Sequence, residues 1–435
     1  MNILLIGQCT LHWGRMEFGN IGNYYIIEPF VRELHATFSK TKIRTTFQMS
    51  QHFCEKEKVE TLPMELYYGW SDCEFVNAQY ELELSMKYKK TGMLDKTTAY
   101  IDAVLWSDLV VDFSGDIWGD NADFLGKNRF EIGLLKDQIA MNLGKKVAMI
   151  AGSPGPFSNK KTKELALKTY QNFDLVANRE PISTKLLEND GFDMRKTYNC
   201  ACPAFLFEPE KGEVIDQLLI DEKISLTNRK KPLVGFILCG WNFKSGPFDK
   251  WPREDSDYIN FAEAVELLTE VLGVQVCLMS HSNGFDVPVI DFELKHGRDY
   301  PIVMQLARIL EKRGIAKDVF TLDGVYDAWQ TKAIIGSFDM LVSGRVHAAV
   351  AALSQCIPTV IIDYGHEPKA HKLEGFATVV QVQEYVANPM YKDDLNKKII
   401  SCWNNRVSYK NKLERVIPEV KNKAKMSFKV LKELF

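Results

Sequence analysis

The sequence lacks the features that would place the protein across a membrane, on nucleic acid or outside the cell. No uncharged apolar run approaches the length that spans a bilayer, and a net charge of -3 over 435 residues gives no overall attraction to nucleic acid. The nine cysteines are an odd number without a C-x-x-C pair, which favours reduced thiols in a cytoplasmic protein. Residues 1–7 are apolar but have no basic start, so we expect a first β-strand rather than a secretory leader.

Metal ligands are also sparse. Cys200 and Cys202 are the one close cysteine pair, and because no second pair follows we interpret them as small buried residues rather than a soft-metal site. Asp116 and Asp120 are not in an Asp-x-Asp arrangement. We therefore expect a site without a metal ion.

The C-terminal end is rich in lysine, and it leaves two interpretations open. Apolar residues such as Ala424 and Phe428 stand among the lysines from Lys421 to Lys432. The segment could be a basic amphipathic helix that makes a peripheral contact with the inner face of a membrane. It could equally be a surface helix whose apolar side packs on its own protein.

The chain has the composition of a soluble globular protein, with 46% hydrophobic and 26% charged residues. Short apolar runs alternate with helical patterns, which is typical of parallel sheets covered by helices. A polar linker at residues 228–232 separates two such series. We therefore predict α/β domains over 1–228 and 232–383, followed by a helical tail over 384–435 that packs back on the first domain. A cleft between two domains of similar size is the expected site.

Residues 340–363 are predicted to form a strand, a charged turn, a helix and a second strand. The apolar stripe from Val346 to Leu353 recurs at helical spacing and indicates a buried helix face. Arg345 and His347 flank this stripe at the start of the helix, where free backbone N–H groups and the helix dipole favour an anion. A carboxylate or a phosphate is the expected ligand. The alternative is that both side chains form a solvated helix edge.

Three further polar side chains each follow a predicted strand. They are Asp116 after residues 108–113, Arg179 after residues 174–177 and His281 after residues 275–280. Ligands of open α/β sheets bind beyond the carboxyl ends of the strands, so each is a candidate to contact substrate. Asp116 could instead form a turn, and Arg179 could instead pair with Glu180 or a neighbouring acid.

The turn Gly19-Asn20-Ile21-Gly22-Asn23 precedes the first predicted helix. Two glycines at such a position allow a ligand to approach the backbone at the helix N-terminus. The turn matches neither the Walker pattern nor G-x-G-x-x-G, and a glycine-rich N-cap is a sufficient structural explanation.

Taken together, these motifs resemble the polysaccharide pyruvyl transferase family, from the first strand to about Gly375. The resemblance is carried by the order and spacing of Gly19-Asn20-Ile21-Gly22-Asn23, Ser114-Gly115-Asp116, Gly152-Ser153-Pro154-Gly155-Pro156-Phe157, Asn178-Arg179-Glu180 with Ser183 and Leu187, and Ser343-Gly344-Arg345-Val346-His347 followed by Ile357-Pro358. It implies a fold similar to glycosyltransferase-B enzymes, with two Rossmann-like α/β domains around a central cleft.

The resemblance also implies a reaction. A pyruvyl transferase moves the enolpyruvyl unit of phosphoenolpyruvate onto two hydroxyls of a sugar, giving a pyruvate ketal and phosphate. The acceptor would be a cell-surface polysaccharide such as capsule or exopolysaccharide, or its precursor, which could be lipid-linked. The donor is itself a substrate, so no cofactor is expected.

The resemblance assigns roles to particular residues of this sequence. Phosphoenolpyruvate binding falls on Arg345, His347, Arg179, Ser343 and Gly344. Acceptor binding, on the side of the first domain, falls on Asn20, Gly22, Asn23 and Asp116. Candidates for proton transfer are His347, Asp116 and His281.

Two positions depart from the family pattern. Asn23 stands where an Asp is usual, and residues 199–204 stand where an Asp-Pro-Ala-like segment is common. Two alternatives therefore stay open. One is a nucleotide-sugar glycosyltransferase, although Glu367 and Glu374 are one residue short of the Glu-x7-Glu spacing of retaining enzymes. The other is a catalytically silent, saccharide-binding member of the family.

Overall fold

The computed structural model describes residues 1–7, 19–210, 217–218, 222, 231–244, 250–284, 294–365 and 371–435. The described residues divide into two compact units. The first unit contains those of 1–7, 28–203 and 422–435, and the second contains those of 19–27 and 204–421. Most of the predicted linker at 228–232 lies outside the described residues, as does Glu367.

The first unit is built on a parallel sheet of seven strands in the order β3-β2-β1-β4-β5-β6-β7. The strands are β1 (Asn2–Ile6), β2 (Lys42–Thr45), β3 (Val59–Thr61), β4 (Leu109–Asp112), β5 (Lys146–Gly152), β6 (Leu175–Asn178) and β7 (Thr197–Asn199). In the central strands nearly every residue is buried, as expected for a sheet covered on both faces. The order reverses beside β1, which pairs with both β2 and β4. Such a switch point is where open α/β sheets leave a crevice at the strand ends.

Helices cover this sheet, and two of them continue into the second unit. They are α1 (Ile21–Thr37), α2 (Gln51–Glu57), α3 (Glu74–Thr91), α4 (Ala99–Trp106), α5 (Asn121–Leu125), α6 (Arg129–Asn142), α7 (Lys160–Tyr170) and α8 (Pro181–Asn189), with the end of the last helix of the chain, Arg406–Lys432. Trp118 lies in the core with no exposed surface and meets the rings of Phe130 and Phe157 edge-on, at centroid distances of 5.5 and 5.7 Å.

The second unit has a parallel sheet of six strands in the order β12-β9-β8-β13-β14-β15. Its strands are β8 (Leu233–Ile237), β9 (Gln275–Leu278), β12 (Val319–Thr321), β13 (Met340–Ser343), β14 (Thr359–Ile362) and β15 (Val386–Ala387), and a separate two-stranded pair is formed by β10 (Asn283–Gly284) and β11 (Lys295–His296). The central strand β8 pairs with β9 and β13, so residues that follow β8, β9 and β13 emerge at the same edge of the sheet.

The helices of the second unit follow the predicted alternation. They are α9 (Ile259–Glu266), α10 (Tyr300–Lys312), α11 (Ala328–Gly336), α12 (Val346–Leu353), α13 (His371–Val380), α14 (Lys392–Asn404) and α15 (Arg406–Lys432). Helix α9 ends at Glu266, and the chain continues as a π-helical turn over Leu267–Val271. Two α/β units with parallel sheets and a helical C-terminal tail confirm the predicted fold class.

The lysine-rich end of α15 packs on the protein through its apolar side. Ala424, Phe428 and Leu431 have at most 1% exposed surface, whereas Lys425 and Lys429 are exposed. These apolar side chains are therefore already buried within the protein. In the part of the chain that the structure describes, no helix combines the length and the apolar character needed to cross a bilayer.

Candidate active site

Arg179 is held at the carboxyl end of β6, in the first unit. Its side chain is 2% exposed, and its Nε–H donates to the hydroxyl of Ser153 at 2.8 Å. Its backbone N–H donates to the carbonyl of Gly152 at 2.9 Å. Ser153 thus orients the guanidinium group, and Gly152, the last residue of β5, holds the backbone of Arg179.

The end of β5 is shaped for this contact. Ala151 has a φ of +59°, an unusual conformation for a residue with a side chain, and the pairing of β5 with β6 shifts register between Ile150 and Gly152. The bulge brings the Gly152 carbonyl to the backbone of Arg179. Bulges of this kind often redirect a chain next to a functional site.

Asp116 follows β4 and meets Arg179. One carboxylate oxygen lies 3.5 Å from an Nη atom of Arg179, and the Asp116 side chain keeps 27% exposure. Gly115 lies over the guanidinium in the left-handed region, at φ +61°, where a Cβ would be 3.7 Å from Arg179 Nη1. The structure therefore brings together Asp116 and Arg179, which the sequence analysis proposed separately.

Glu180 does not pair with Arg179. Its carboxylate instead accepts the backbone N–H groups of Ile182 and Ser183, at 2.7 and 3.0 Å, and so caps α8. Of the two alternatives for Arg179, the neighbouring acid is therefore the one found, and that acid is Asp116.

Arg345 of the second unit is buried at the start of α12 and engaged by an acid that the sequence analysis missed. Its Nε–H donates to Asp299 at 2.8 Å, and an Nη2–H donates to the other oxygen of the same carboxylate. Burial alone would lower the pKa of Arg345, but the Asp299 carboxylate more than reverses this, so the pKa is raised. Arg345 is therefore a permanent cation in a two-point ion pair rather than a solvated helix edge.

Ser343 and Gly344 shape the turn before α12. The Ser343 hydroxyl accepts the backbone N–H of Arg345 at 3.2 Å and donates to its carbonyl at 2.9 Å. A Cβ at Gly344 would lie 1.9 Å from Oδ1 of Asn242, so only glycine fits. Asn242 follows β8, and its Nδ2 reaches the Gly344 carbonyl at 3.4 Å. The predicted residues Ser343 and Gly344 thus set the backbone that presents Arg345.

His347 lies in the first turn of α12 with 7% of its surface exposed. Its ring meets Phe376 edge-on at a centroid distance of 5.7 Å. On another side is Gly22, where a Cβ would come within 2.5 Å of the His347 Cβ. Position 22 therefore requires a glycine, because any side chain there would collide with His347.

The turn that contains Asn20, Gly22 and Asn23 groups with the second unit, although the sequence analysis assigned it to the acceptor side of the first domain. Asn20 caps α1, since its Oδ1 accepts the N–H of Gly22 at 3.1 Å and its carbonyl accepts that of Asn23 at 2.8 Å. Asn23 is 9% exposed. The structure thus shows the N-cap, and it also places the turn beside the candidate residue His347.

His281 follows β9 and is completely buried. Its ring meets that of Tyr25 at a centroid distance of 5.4 Å, and neither ring nitrogen has a hydrogen-bond partner among the described residues. Burial, together with the nearby charge of Arg345, lowers the pKa of His281 to about 3. His281 is therefore neutral near pH 7, and it cannot serve as an imidazolium acid there.

The residues that sequence reasoning missed differ in how far they could have been found. Asn242 follows the apolar run over residues 233–239, so the rule applied to Asp116 would have identified it. Asp299 precedes Tyr300-Pro301 and looks like an ordinary N-cap, yet it makes no cap hydrogen bond and binds Arg345 instead. Among the described residues, no group of three or more His, Cys, Asp or Glu side chains is placed to hold a metal ion.

Comparison with known families and structures gives one family match. The family model described as polysaccharide pyruvyl transferase matches residues 20–366. A comparison with curated proteins found no match.

Solved structures share the fold at low sequence identity. A glycosyltransferase from Rickettsia africae ESF-5 is 11% identical with a TM-score of 0.59, over 99% of this chain and 98% of that chain. Anabaena Alr3699/HepE in complex with UDP and glucose is 11% identical with a TM-score of 0.57, over 100% of both chains. UDP-GlcNAc 2-epimerase from Methanocaldococcus jannaschii is 14% identical with a TM-score of 0.54, over 92% of both chains. The chain therefore has a glycosyltransferase-B-like fold.

Proposed function

This chain belongs to the polysaccharide pyruvyl transferase family, and we propose that it transfers the enolpyruvyl unit of phosphoenolpyruvate to a sugar. The acceptor is a cell-surface polysaccharide or its precursor, including a lipid-linked one. The products are a pyruvate ketal and inorganic phosphate.

The observation that carries the proposal is the family match, because its span includes both arginine sites. Arg179 and Arg345 each follow a strand at the carboxyl edge of a parallel sheet, and each is buried and oriented by a carboxylate. Phosphoenolpyruvate carries a carboxylate and a phosphate, and guanidinium groups suit both. Ser343 and Gly344 support the same role by fixing the turn that precedes α12.

The proposed reaction is an addition followed by a substitution. A proton is added to the methylene carbon of the enol, and a sugar hydroxyl loses its proton and bonds to the adjacent carbon. The second hydroxyl then loses its proton and bonds to the same carbon while the bond between that carbon and the phosphate oxygen breaks, so inorganic phosphate leaves and takes up that proton. Each step balances without an oxidant or a further cofactor, and we propose that none is used.

Structural features of the three candidates support an assignment of the proton-transfer roles. Neutral His281 is suited to hydrogen bonding rather than to donating a proton. Asp116 is partly exposed and paired with a cation, which suits a carboxylate that accepts a hydroxyl proton. We assign proton donation to His347, in the first turn of α12.

We further propose a cytoplasmic location. Cys73, Cys200, Cys277, Cys356 and Cys402 carry free thiols, and free thiols persist in a reducing compartment. A peripheral contact with a membrane would use the exposed lysines of α15, because the apolar side of that helix is buried.

The test is the release of phosphate from phosphoenolpyruvate by the purified protein, with and without galactose- and mannosamine-type acceptors. We expect release only with a suitable acceptor, together with a ketal product detected by mass spectrometry. Consumption of UDP- or GDP-sugars in place of phosphoenolpyruvate would identify a glycosyltransferase instead. Saccharide binding without turnover of either donor would identify a silent member of the family.

A further inference from the structure

Two acids are buried side by side beneath the loop that carries Asp116. Asp112 is the last residue of β4 and Asp137 lies in the middle of α6. Both have no exposed surface, and their carboxyl groups adjoin. Two adjacent carboxylates without solvent would repel each other strongly.

The hydrogen bonds of the two acids are incomplete in a specific way. Asp112 Oδ1 accepts the hydroxyl of Ser114. The other oxygen of Asp112 and both oxygens of Asp137 have no hydrogen bond of ordinary geometry within the described part of the chain. Buried polar atoms rarely stay unpaired. A proton on one carboxyl would supply a donor between them, as in other carboxyl pairs that share a proton.

The two acids lie against both ends of the Asp116 loop. Ser114, two residues before Asp116, donates to Asp112. Trp118, two residues after Asp116, is fully buried, and its indole N–H lies near the carboxyl of Asp137 without a hydrogen bond of ordinary geometry. Asp116 is therefore carried by a short loop whose two flanking side chains contact one acid pair, the first of them through a hydrogen bond.

A chain of hydrogen bonds continues from this loop to Arg179. The carbonyl of Gly115 accepts the backbone N–H of Ser153 at 2.7 Å, and the Ser153 hydroxyl accepts the Nε–H of Arg179 at 2.8 Å. The carbonyl of Trp118 accepts the N–H of Gly155 at 2.8 Å. The loop after β4 thus positions both members of the Asp116–Arg179 pair.

We propose that Asp112 and Asp137 share one proton and, through Ser114 and Trp118, act as positioning residues that hold Asp116 against Arg179. The catalytic consequence of this arrangement rests on the proposed function. The shared proton and the position of the loop can be tested without it. Neither acid touches substrate in this proposal.

The surroundings favour a protonated pair. Burial raises the pKa of both carboxyls, and their mutual repulsion raises that of Asp137 further. Among the described residues, the phenols of Tyr67 and Tyr100 lie near the pair, and Arg129 lies near Tyr67. Both phenols have pKa values raised well above normal by burial, so they stay neutral. The Arg129 guanidinium lies over the rings of two aromatic residues, Tyr68 and Trp70.

The test compares two substitutions of one acid in the full-length protein. Asp137→Asn replaces the shared proton with an amide that can donate to Asp112 at any pH, whereas Asp137→Leu removes the donor. The exposed Asp95→Asn is the matched control. Infrared spectra at neutral pH should show a protonated-carboxyl band in the wild type and in Asp95→Asn that is absent from Asp137→Asn. Persistence of that band in Asp137→Asn would overturn the shared proton.

The position of the loop is read without an activity assay, from the indole N–H resonance of Trp118, assigned with Trp118→Phe. We expect this resonance to move in both Asp137 variants and to stay in place in Asp95→Asn. An unmoved Trp118 resonance in Asp137→Asn would overturn the proposal that Asp137 positions the loop. This measurement remains decisive even if Asp137→Leu does not fold.

Turnover then tests the positioning role. We expect Asp137→Asn to stay within about threefold of wild-type kcat and Asp137→Leu, if folded, to lose about tenfold or more. Equal losses in both variants would contradict rescue by the amide, and with it the positioning role. If the wild type shows the band and the Asp137 variants shift the resonance, but the wild type never releases phosphate from phosphoenolpyruvate, only the proposed function is rejected.

Discussion

Arg345 and Asp299 form a buried ion pair in which one carboxylate receives two N–H groups of one guanidinium. Asp299 has no exposed surface. Of the five N–H donors of an arginine, two are engaged in this way, which leaves three for other partners. The guanidinium is therefore oriented before any ligand arrives, and its charge is already balanced by the protein.

Removing Asp299 should destabilise the protein rather than improve anion binding by Arg345. Asp299→Ala leaves a buried guanidinium without its carboxylate, and breaking a buried pair in this way typically costs about 3–5 kcal/mol. We expect a loss of that size in the free energy of unfolding, measured by urea denaturation. Asp95→Asn, which breaks an exposed pair with Lys87, should leave stability nearly unchanged. Equal effects of the two substitutions would contradict the central role of the Arg345–Asp299 pair.

His281 should make stability depend on pH. Its pKa in the folded protein is lowered to about 3, whereas an unfolded histidine titrates near 6.5. As the pH falls below 6.5 the unfolded state therefore takes up a proton that the folded state refuses, and stability is lost. From pH 7 to pH 5 this group should contribute a loss of about 2 kcal/mol.

The measurement for His281 is urea denaturation of wild type and His281→Gln at both pH values. The wild type should lose about 2 kcal/mol more than the variant between pH 7 and pH 5. His52→Gln, at an exposed position, is the matched control and should behave as wild type. If wild type and His281→Gln lost the same free energy of unfolding between pH 7 and pH 5, His281 would take up a proton in the folded protein over that range.

Asp116→Asn should impair turnover more than stability. The amide keeps the shape of the side chain but cannot accept a hydroxyl proton as a carboxylate does, and loss of a general base typically costs about 10²–10⁴-fold in rate. The measurement is kcat for acceptor-dependent phosphate release, alongside the melting temperature. Asp95→Asn again serves as the control. If Asp116→Asn kept full kcat, Asp116 would be only the partner of Arg179.

Gly22→Ala should disturb His347 directly. The added Cβ would come within 2.5 Å of the His347 Cβ, so one of the two backbones must move. Overpacking of this kind typically costs about 1–3 kcal/mol. Asn20→Ala loses only the cap to Gly22, at about 1 kcal/mol. Of these two variants, only Gly22→Ala should shift the ring resonances of His347, and unshifted resonances would show that the contact is not tight.

The sequence predicted the alternation of strands and helices well where one face of each element is apolar. Helix α3 carries no such pattern, and the reason lies in its inward side. That side buries Glu74, Glu81 and Ser85, and Glu81 pairs with Lys136 at 2.6 Å. A helix that buries charges and a hydroxyl shows no apolar period, so pattern reasoning has no signal to follow.

The sequence predicted which candidate residues follow strands, but not which of their side chains contact each other. The position of Asp116 and Arg179 after strands follows from the sequence, whereas their contact depends on the bulge at Ala151, which no sequence pattern indicated. Asp112 and Asp137 were missed for a related reason. Each sits in an element that reads as ordinary core, and only the fold brings the two acids together.

The end of α15 offers a test of the two interpretations of the lysine-rich tail. Phe428 is 1% exposed and meets Phe30 edge-on at a centroid distance of 5.3 Å, within the first unit. Phe428→Ala should therefore lower the free energy of unfolding by about 3–5 kcal/mol. Met426→Ala, on the same helix but 37% exposed, should change it much less. In flotation with anionic lipid vesicles, the folded Phe428→Ala variant should bind as the wild type does, because its apolar face serves the fold. Loss of vesicle binding without loss of stability would instead assign that face to the membrane.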